Sequence, residues 1–386
     1  MIGIIGGGLT GLTLAEHLNK KAVILEKMPE TGGLCRSVQD RGFTFDIGGS
    51  HIIFSRDQEV LDFMLKALGK NKVKSRRNTK IFYKNRFVKY PFENGLSDLP
   101  FKDNFECIFH FITNLIRKKL GLLKEPKNFK ECLYNVYGKG ISEKYLIPYN
   151  EKIWNSKTED MNCEWVKDRL PQPDLIRLLK SSLGIGSEGY VHQLFFFYPE
   201  RGGIQALTDS IEKNTSSEIV LNYHVKSIKK VKGGFEVSNG NKKMKFSKLV
   251  STIPLPDLIE AIKDTVPPEV RKSAKNLKFN SIVTVTLGVD KHHLNDFSWL
   301  YLPSPGDGLF NRLSFPFNFS SKTTPKGKTS ILAEITCLYG DKVWKMKDPE
   351  LIKHVTDRLH KAGIVDRKFV IYSNIHRFRY AYVVYD

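Results

Sequence analysis

Three consecutive glycines near the start of the chain restrict its fold more than any other feature. The stretch IIGGGLTGLTLAEHL begins as an apolar run, turns through the glycines and continues with leucines at helical spacing. Gly6, Gly8 and Gly11 therefore fall in GxGxxG register between a predicted strand and a predicted helix. In that register the first glycine permits a tight turn, the second lets backbone approach a pyrophosphate, and the third lets helix and strand pack closely. The sequence thus predicts a dinucleotide-binding βαβ unit, the alternative being a glycine-rich turn without a ligand.

An acidic residue lies at the end of the second predicted strand, where a dinucleotide-binding unit has its ribose contact. The second predicted strand, AVILE, ends at Glu26, about twenty residues after the first glycine, where a carboxylate accepts hydrogen bonds from an adenosine ribose. Leu9 and Thr10 at the start of the helix and Lys27 beside the acid are predicted to line the same cofactor. These residues alone do not distinguish NAD from FAD.

Length and composition indicate a globular protein of about two domains. The chain has 386 residues, of which 41% are hydrophobic and 26% charged. It has no uninterrupted apolar run of about 18 residues and no basic start followed by a cleavable apolar stretch. We therefore expect no membrane-spanning segment and a cytoplasmic protein.

The cysteines bear on metal and disulfide sites, and the charges bear on the class of binding partner. Five cysteines are scattered without a CxxC pair, so we predict reduced, mostly structural thiols and no metal site. The 61 Lys and Arg against 41 Asp and Glu give a net charge of +20, which suits nucleic acid, an anionic membrane surface or an anionic small substrate. The basic residues are distributed along the whole chain and form only short clusters, at Lys70–Arg77 and Lys226–Lys232. Since nucleic-acid binding normally needs one extended basic surface, we do not expect nucleic acid as a partner.

The middle of the chain changes pattern after about residue 75. The stretch RNTKIFYKNRFVKYPFENGL has strand-like alternation with a turn, and an amphipathic, aromatic-rich helix is predicted from Phe105 to Leu123. That helix has two interpretations: a core helix of a helical domain, which its short, interrupted apolar run favours, or a helix lying on a membrane surface. Helical patterns continue to about Leu183, and SIVTVTLGV begins a second run of strands near Lys278.

Three further segments resemble FAD enzymes of the amine-oxidase and protoporphyrinogen-oxidase type. They are MPETGGLCRS with Gly32, Gly33 and Arg36, the FTFDIGG segment ending at Gly49, and YPERGGIQALTDSI beginning at Tyr198. The resemblance implies FAD as cofactor, with the flavin or its pyrophosphate near Gly33, Leu34, Arg36, Gly49, Ser50 and His51. It also implies an adenine contact at Val225, which is equally well interpreted as a plain sheet residue.

Four more segments resemble the UDP-galactopyranose mutases, particularly their eukaryotic-type branch. In chain order they are GGSHIIFS (residues 48–55), YPFENGLSDLP (90–100), PYNEKIW with MNCEWVKDR (148–154 and 161–169), and WLY with FNR and Asn318 (299–301 and 310–312). The resemblance covers essentially the whole chain. Glu93 departs from it, because the mutase pattern has Gln at that position.

The mutase resemblance implies roles for named residues. His51 lies beside the flavin ring, Arg169 and Arg312 bind the diphosphate of a UDP-sugar in forked geometry, and Tyr301 donates a neutral hydrogen bond. Six residues are further implied in substrate binding: Phe92, Asn94, Trp299, Asn318, Arg377 and Tyr382. The implied reaction interconverts UDP-galactopyranose and UDP-galactofuranose, or a related nucleotide-sugar, by nucleophilic catalysis at N5 of reduced FAD. NAD(P)H is a candidate reductant.

Two other functions remain open at this point. One is an FAD-dependent oxidoreductase of the amine-oxidase or protoporphyrinogen-oxidase type, and the other is a non-catalytic flavin-fold protein. The expected fold is α/β, with a discontinuous Rossmann-like FAD-binding domain of the GR2 type (residues 1–75 and 198–277). An α+β substrate domain is interleaved with it, mostly helical over residues 76–197 and a sheet over 278–386. The chain ends at IHRFRYAYVVYD, so we expect the family's C-terminal FAD segment to be missing.

Overall fold

A computed structural model describes residues 1–18, 21–166, 173–185, 194–264 and 266–386. The chain forms a mixed α/β fold of two compact units, each made of two separate chain segments. Unit 1 comprises Met1–Val73 and Phe197–Leu277, and unit 2 comprises Lys74–Phe196 and Lys278–Asp386.

The helices and strands are numbered in chain order. The first segment contains β1 (Ile2–Ile5), α1 (Leu9–His17), β2 (Ala22–Leu25), β3 (Ser37–Asp40), β4 (Phe43–Asp46) and α2 (Gln58–Leu68). The second begins with β5 (Val73–Arg76) and contains β6 (Thr79–Tyr83), β7 (Arg86–Lys89), α3 (Phe101–Lys119), α4 (Phe129–Ile141), α5 (Ile147–Trp154), α6 (Leu175–Ser182) and β8 (Phe195–Tyr198). The third contains α7 (Gln205–Asn214), β9 (Glu218–Val220), β10 (Ser227–Val231), β11 (Gly234–Ser238), β12 (Lys243–Phe246), β13 (Lys248–Ser251), α8 (Leu255–Ala261) and α9 (Pro268–Asn276). The last contains β14 (Phe279–Val289), β15 (Trp299–Tyr301), β16 (Arg312–Ser314), β17 (Thr329–Cys337), α10 (Lys342–Lys345), α11 (Asp348–Lys361) and β18 (Val370–Val383).

Unit 1 is centred on a four-stranded parallel sheet in the order β13-β1-β2-β9. Both faces are buried, which explains why β1 and β2 are continuous apolar runs rather than alternating ones. On one face Ile4 and Ile24 pack with residues of α1 and α7. On the other face Ile5 and Val23 pack against the antiparallel β10-β11-β12 sheet. Val225 lies in the loop before β10 and is buried in this second cluster.

Unit 2 contains a seven-stranded sheet in the order β18-β14-β17-β16-β15-β6-β7. Its pairs are antiparallel except for β15 with β6. The β6–β7 hairpin turns through Lys84 and Asn85, which have φ values of 47° and 62°. Such a turn with two positive φ angles matches the right-handed twist of the strands it joins.

One face of this sheet, which we call the apolar face, packs against α11. Val283, Leu300 and Leu313 of the sheet and Leu351 and Val355 of the helix are fully buried together. Alternation along each strand sends every second residue to the other face, so β14 to β17 have two chemically different sides. The second side carries the polar groups described below.

The helical part of unit 2 begins earlier than predicted. Helix α3 spans Phe101–Lys119 rather than Phe105–Leu123, because Pro100 supplies the extended residue before its first turn. Its buried side carries Asp103, Cys107 and Phe111, the last two in the apolar core that α4 also lines.

One cysteine prediction is wrong. Cys132 and Cys163 form a disulfide with their Cα atoms 6.2 Å apart, whereas Cys35, Cys107 and Cys337 are free thiols. The disulfide joins α4 to the segment after Met161. A hydrogen bond from the Phe129 N–H to the Met161 carbonyl, at 2.9 Å, joins the same two parts of the chain. Cys132 and Cys163 are brought together only by tertiary packing, so their spacing in the sequence does not indicate the disulfide.

Candidate functional sites

The glycine turn of unit 1 has a geometry that only glycine satisfies at two positions. Gly6 has a φ of +104°, and a Cβ on Gly11 would lie 2.0 Å from the Gly6 carbonyl oxygen. The Gly6 N–H donates to the Leu25 carbonyl at 2.9 Å, which fixes the turn to the end of β2. The turn therefore brings the N-terminus of α1 directly to the carboxyl edge of the parallel sheet.

Gly8, the residue that caps α1, is glycine for a different reason. Its φ of −73° suits any residue, and a Cβ there would find only the Gly33 Cα, at 3.8 Å. Apart from its chain neighbours, no other atom of the described residues lies within 4 Å of that position, and the first turn of α1 carries no acidic side chain. The open approach and the unpaired N–H groups of a helix N-terminus fit the pyrophosphate of FAD. Leu9 and Thr10 are the first two residues of this helix.

Glu26 is buried at the end of β2 and holds the turn in place. Its carboxylate accepts hydrogen bonds from the Gly7 N–H at 2.7 Å and the Met28 N–H at 2.9 Å. Both contacts leave further lone pairs on the carboxylate, so the predicted bond to a ribose remains compatible with them. Lys27, which follows it, is exposed.

The second glycine segment packs directly on the first. The Gly32 N–H donates to the Gly7 carbonyl at 2.8 Å, and Gly33 has a φ of +59°. Arg36 is buried and forms an ion pair with Glu30 at 2.7 Å while its Nε donates to the Gly33 carbonyl at 3.2 Å. Arg36 therefore stabilises this turn as well as being a candidate cofactor contact. The carbonyl of Leu34 lies so close to Gly48 that a Cβ there would approach it to 2.3 Å.

Asp46 connects the three segments of unit 1 that resemble FAD enzymes: MPETGGLCRS, FTFDIGG and YPERGGIQALTDSI. The sequence analysis missed this role. Its Oδ1 accepts hydrogen bonds from Ser37 Oγ at 2.8 Å, Tyr198 OH at 2.9 Å and the Ile204 N–H at 3.0 Å. Burial raises the pKa of Asp46, an effect that the Ile204 N–H and His51 oppose. A single acid inside the buried strand FTFD was the available sequence signal.

The loop after Asp46 carries the predicted flavin neighbours Gly49, Ser50 and His51. Gly49 has a φ of +102°, and its carbonyl lies 2.8 Å from His51 Nδ1. The His51 N–H also faces Asp46 Oδ2 at 3.4 Å. The Gly49 carbonyl therefore holds the His51 ring within its own loop. His51 is also partly exposed, so its ring remains accessible.

In unit 2 the sheet brings Tyr301, Arg312 and Glu334 into one row across three strands. Tyr301 pairs with Arg312, and Arg312 pairs with Glu334. Arg312 Nε donates to Glu334 Oε1 at 3.0 Å, and its Nη2 donates to Oε2 at 2.7 Å. We call this side of the sheet, opposite the apolar face, the polar face. It joins a forked arginine, a buried carboxylate and a phenol.

Aromatic rings surround this row. The ring of Tyr301 lies 5.1 Å from Tyr149 and 5.3 Å from Tyr90, measured between centroids. Arg77 places its guanidinium carbon 5.2 Å from the Tyr90 ring and 5.3 Å from the Trp299 ring. Burial raises the pKa of Tyr90 and of Tyr149 above the ordinary phenol value, so both remain protonated donors at neutral pH.

Arg312, whose side chain is 20% exposed, keeps its charge in this largely buried setting. Burial opposes the charge, but the attraction of Glu334 and nearby phenols outweighs it and raises the pKa of Arg312. Tyr382 on β18 is one of those phenols; burial raises its own pKa, and Arg312 lowers it in part. Tyr301, Arg312 and Tyr382 are thus brought together, as the mutase resemblance implies.

Other predicted substrate residues lie elsewhere or serve the fold. Arg377 lies on the apolar face, where it pairs with Asp348 at 2.6 Å and donates to the Met346 carbonyl at 2.8 Å. Asn318 uses its amide N–H groups on the carbonyls of Asn295 and Phe297. Phe92, Asn94 and Trp299 are buried, and the Trp299 ring lies beside Arg77 near the row of Tyr301. Arg169 lies outside the described residues.

Glu334 is the second functional candidate that the sequence analysis missed. It is almost fully buried in β17, whose sequence TSILAEITC is otherwise free of charge. A lone charge inside such a run was the only available signal. Within the described part of the chain, no group of three or more His, Cys, Asp or Glu side chains is arranged to hold a metal ion.

A glycine turn of this type at the carboxyl edge of a parallel sheet is typical of α/β proteins that bind dinucleotides. Comparison with known families makes this more specific. The sequence model of the flavin containing amine oxidoreductases matches residues 9–385, and the chain belongs to this family. The family implies FAD as the cofactor, and the fit of the Gly8 turn agrees with it.

Solved structures with the same fold include a UDP-galactopyranose mutase in its reduced form. It is 26% identical, with a TM-score of 0.89, and the match covers 99% of this chain and 84% of the mutase chain. The predicted resemblance is thereby confirmed. Wild-type putrescine oxidase bound to putrescine matches with a TM-score of 0.66 at 15% identity over 99% of this chain and 87% of its own, which shows the fold alone.

A curated relative shares part of the chain. The uncharacterized protein MJ1488 of Methanocaldococcus jannaschii is 28% identical over 233 residues, which are 59% of this chain. The match spans about half the length of that relative, 53%. Among the described residues, no helix is both long enough and apolar enough to cross a membrane.

Proposed function

We propose that this protein is a nucleotide-sugar mutase that interconverts UDP-galactopyranose and UDP-galactofuranose. The observation that carries the proposal is the Tyr301–Arg312–Glu334 row with Tyr382 beside it, in a chain whose fold matches a UDP-galactopyranose mutase along 99% of its length. Unit 1 is proposed to bind FAD, and unit 2 the diphosphate of the sugar nucleotide.

Arg312 is suited to a diphosphate because only part of its guanidinium is used. Nε and Nη2 bind Glu334, and no described residue accepts a hydrogen bond from Nη1. The carboxylate fixes the plane of the fork and balances its charge before substrate binds. A diphosphate with two negative charges would then bind the remaining N–H groups, since arginine donates in a forked geometry that matches phosphate oxygens.

The tyrosines supply hydrogen bonds without charge. Tyr149 and Tyr382 have raised pKa values because they are buried, so each keeps its proton and donates to a phosphate or sugar oxygen. Their rings also exclude water from the row, which strengthens each polar interaction with substrate. We assign Tyr301 the same role on the strength of its position beside Arg312.

FAD, when bound and reduced, supplies the nucleophile for the anomeric carbon. The chain's own part is to orient the cofactor through the Gly6–Gly11 turn and to hold His51 in the loop fixed by Asp46. The departing UDP is stabilised by Arg312, so no acid or base side chain is required for its release. NAD(P)H is the proposed reductant, and the cytoplasm the proposed compartment.

An amine oxidoreductase is the alternative, and the aromatic surroundings of Tyr301 favour it. Tyr90, Tyr149 and Tyr301 resemble the walls of a cage that would hold an amine's carbon chain. A cationic amine, however, would meet the charge of Arg312 in a buried place, which is costly. We therefore prefer the mutase.

Product analysis separates the two functions. Purified protein, shown to hold flavin by its visible absorbance, is reduced with dithionite and incubated with UDP-galactofuranose, and the products are resolved by chromatography. The proposal expects UDP-galactopyranose from the reduced protein and none from the same protein kept oxidised. Absence of conversion by flavin-loaded, reduced protein would refute the mutase function and favour the oxidoreductase.

A further inference from the structure

Helix α3 presents an apolar face to solvent. Phe101 is 85% exposed and Phe105 62% exposed, and Phe109, Ile116 and Leu120 are also exposed. Steps of four residues place the three phenylalanines on one side of the helix, and the rings of Phe105 and Phe109 stack with centroids 6.3 Å apart. The opposite side of α3 is the one buried in unit 2. The helix is therefore apolar on the side where a surface helix is normally polar.

Helix α6 adds a second exposed apolar stripe beside the first. Leu183, directly after the helix, is 76% exposed, and Ile176 and Leu179 are exposed along its length. The two helices are neighbours, because Asn104 Nδ2 of α3 donates to the Ser182 carbonyl of α6 at 3.0 Å. We call these side chains of α3 and α6 the apolar patch: Phe101, Phe105, Phe109, Ile116, Leu120, Ile176, Leu179 and Leu183. Several large apolar side chains exposed on two neighbouring helices are typical of an interaction site.

Exposed basic side chains border the patch. At 100° per residue, Lys102 and Lys119 fall beside the phenylalanine stripe on α3, and Lys180 falls beside the stripe on α6. We call these three side chains the basic rim. Both acids of α3 pair with Lys144 of the same unit, and Glu106 also lies 4.0 Å from Lys102 of the basic rim.

We propose that the apolar patch docks on the surface of an anionic lipid bilayer. Helix α3 has 19 residues and is about 28 Å long, so it would lie in the plane of the interface with its phenylalanines among the acyl chains. The basic rim would bind the lipid phosphates at the same level. The net charge of +20 attracts the whole protein to such a surface.

The same charges argue against a second copy of this chain as the occupant. Two copies joined through the apolar patch would bring two basic rims together, and each chain carries +20. Like charges juxtaposed across an interface oppose association. An anionic bilayer meets both properties of the surface, the apolar stripe and the positive border.

Vesicle sedimentation tests the proposal with the full chain. Vesicles of phosphatidylcholine alone are compared with vesicles that also contain phosphatidylglycerol, at low and at raised salt. We expect at least about tenfold tighter binding to the anionic vesicles, weakened by salt, because exposed charges are screened. The double variant Phe105→Ser/Phe109→Ser should lose at least about tenfold of that binding, since it removes the inserted rings.

A matched control removes apolar side chains of similar exposure elsewhere. Leu255→Ser/Val270→Ser changes exposed residues of α8 and α9 and should leave vesicle binding as it is. Lys119→Glu/Lys180→Glu, which reverses two charges of the basic rim, should weaken binding to anionic vesicles only. Circular dichroism and the melting temperature check that each variant is folded. Equal binding by the Phe105→Ser/Phe109→Ser variant, or no binding by the wild type, would overturn the proposal. A dimer in light scattering that this variant dissociates, without vesicle binding, would show a second copy as the occupant.

Discussion

The two faces of the seven-stranded sheet in unit 2 differ in chemistry although the same strands build them. Neighbouring residues illustrate the contrast: Leu313 lies in the apolar core with α11, while Arg312 binds Glu334 on the other side. Along β15, Leu300 and Tyr301 divide in the same way. One face is packed for stability, and the other contains charges that packing alone would not require.

That difference indicates where function lies. Burying an ion pair costs desolvation energy that its attraction only partly returns, so an apolar pair of similar shape is often as stable. The apolar face needs no explanation beyond the hydrophobic effect. The polar face retains Arg312 and Glu334 at a cost to stability, which suits a site whose charge is used on a ligand.

The largest effect should come from breaking the buried ion pair. Glu334→Ala leaves the Arg312 charge without its partner, and the free energy of unfolding should fall by about 3–5 kcal/mol. Urea denaturation followed by circular dichroism measures it. The double variant Arg312→Met/Glu334→Leu should recover most of the loss, and a single variant as stable as the wild type would show that the pair is not buried in solution.

A change on the apolar face should separate stability from binding. Leu313→Ala removes a fully buried side chain, and we expect a loss of about 2–5 kcal/mol in the free energy of unfolding. The dissociation constant for UDP, measured on the folded protein by calorimetry, should stay as it is. Weaker UDP binding by this variant would contradict the division of roles between the two faces.

Removal of one hydroxyl should have a moderate effect on the polar face. Tyr301→Phe keeps the ring packing against Tyr149 and Tyr90 but loses one donor. UDP binding should weaken by about 0.5–1.5 kcal/mol, the usual net contribution of a hydrogen bond between neutral groups. Thermal unfolding of the same variant serves as the control and should change little.

The smallest effect is expected at an arginine on the wrong face for the ligand. Arg377→Gln removes an ion pair with Asp348, which is mostly exposed, so stability should fall by about 1 kcal/mol or less. UDP affinity should be unchanged. A marked loss of affinity would place Arg377 at the ligand and overturn the assignment of the two faces.

Local patterns in the sequence were sufficient for the glycine turn and the family. Gly6, Gly8 and Gly11 are spaced by a geometry that a single turn imposes, and Glu26 follows at the end of the next strand. The strand predicted from SIVTVTLGV is present as β14, because β-branched residues in succession along a short stretch are a local pattern. These features depend on neighbours within a few residues or on one βαβ unit.

Contacts between distant strands could not be predicted in this way. Arg312 meets Glu334 only because β16 lies beside β17 in the sheet. Arg377 lies on the apolar face because a shift of one residue in a strand reverses the side to which every side chain points. Its neighbour His376 pairs with Thr284 in the row of Arg312 instead. The Cys132–Cys163 pairing depends likewise on tertiary packing.

Titration of UDP into flavin-loaded protein by calorimetry, with wild type and Arg312→Lys compared, tests the central claim most directly. Lysine retains the positive charge beside Glu334 but loses the forked donor geometry. The account predicts that the dissociation constant for UDP rises at least about tenfold, which corresponds to about 1.4 kcal/mol. Unchanged affinity in a folded, flavin-loaded variant would contradict the claim that the polar face binds the diphosphate.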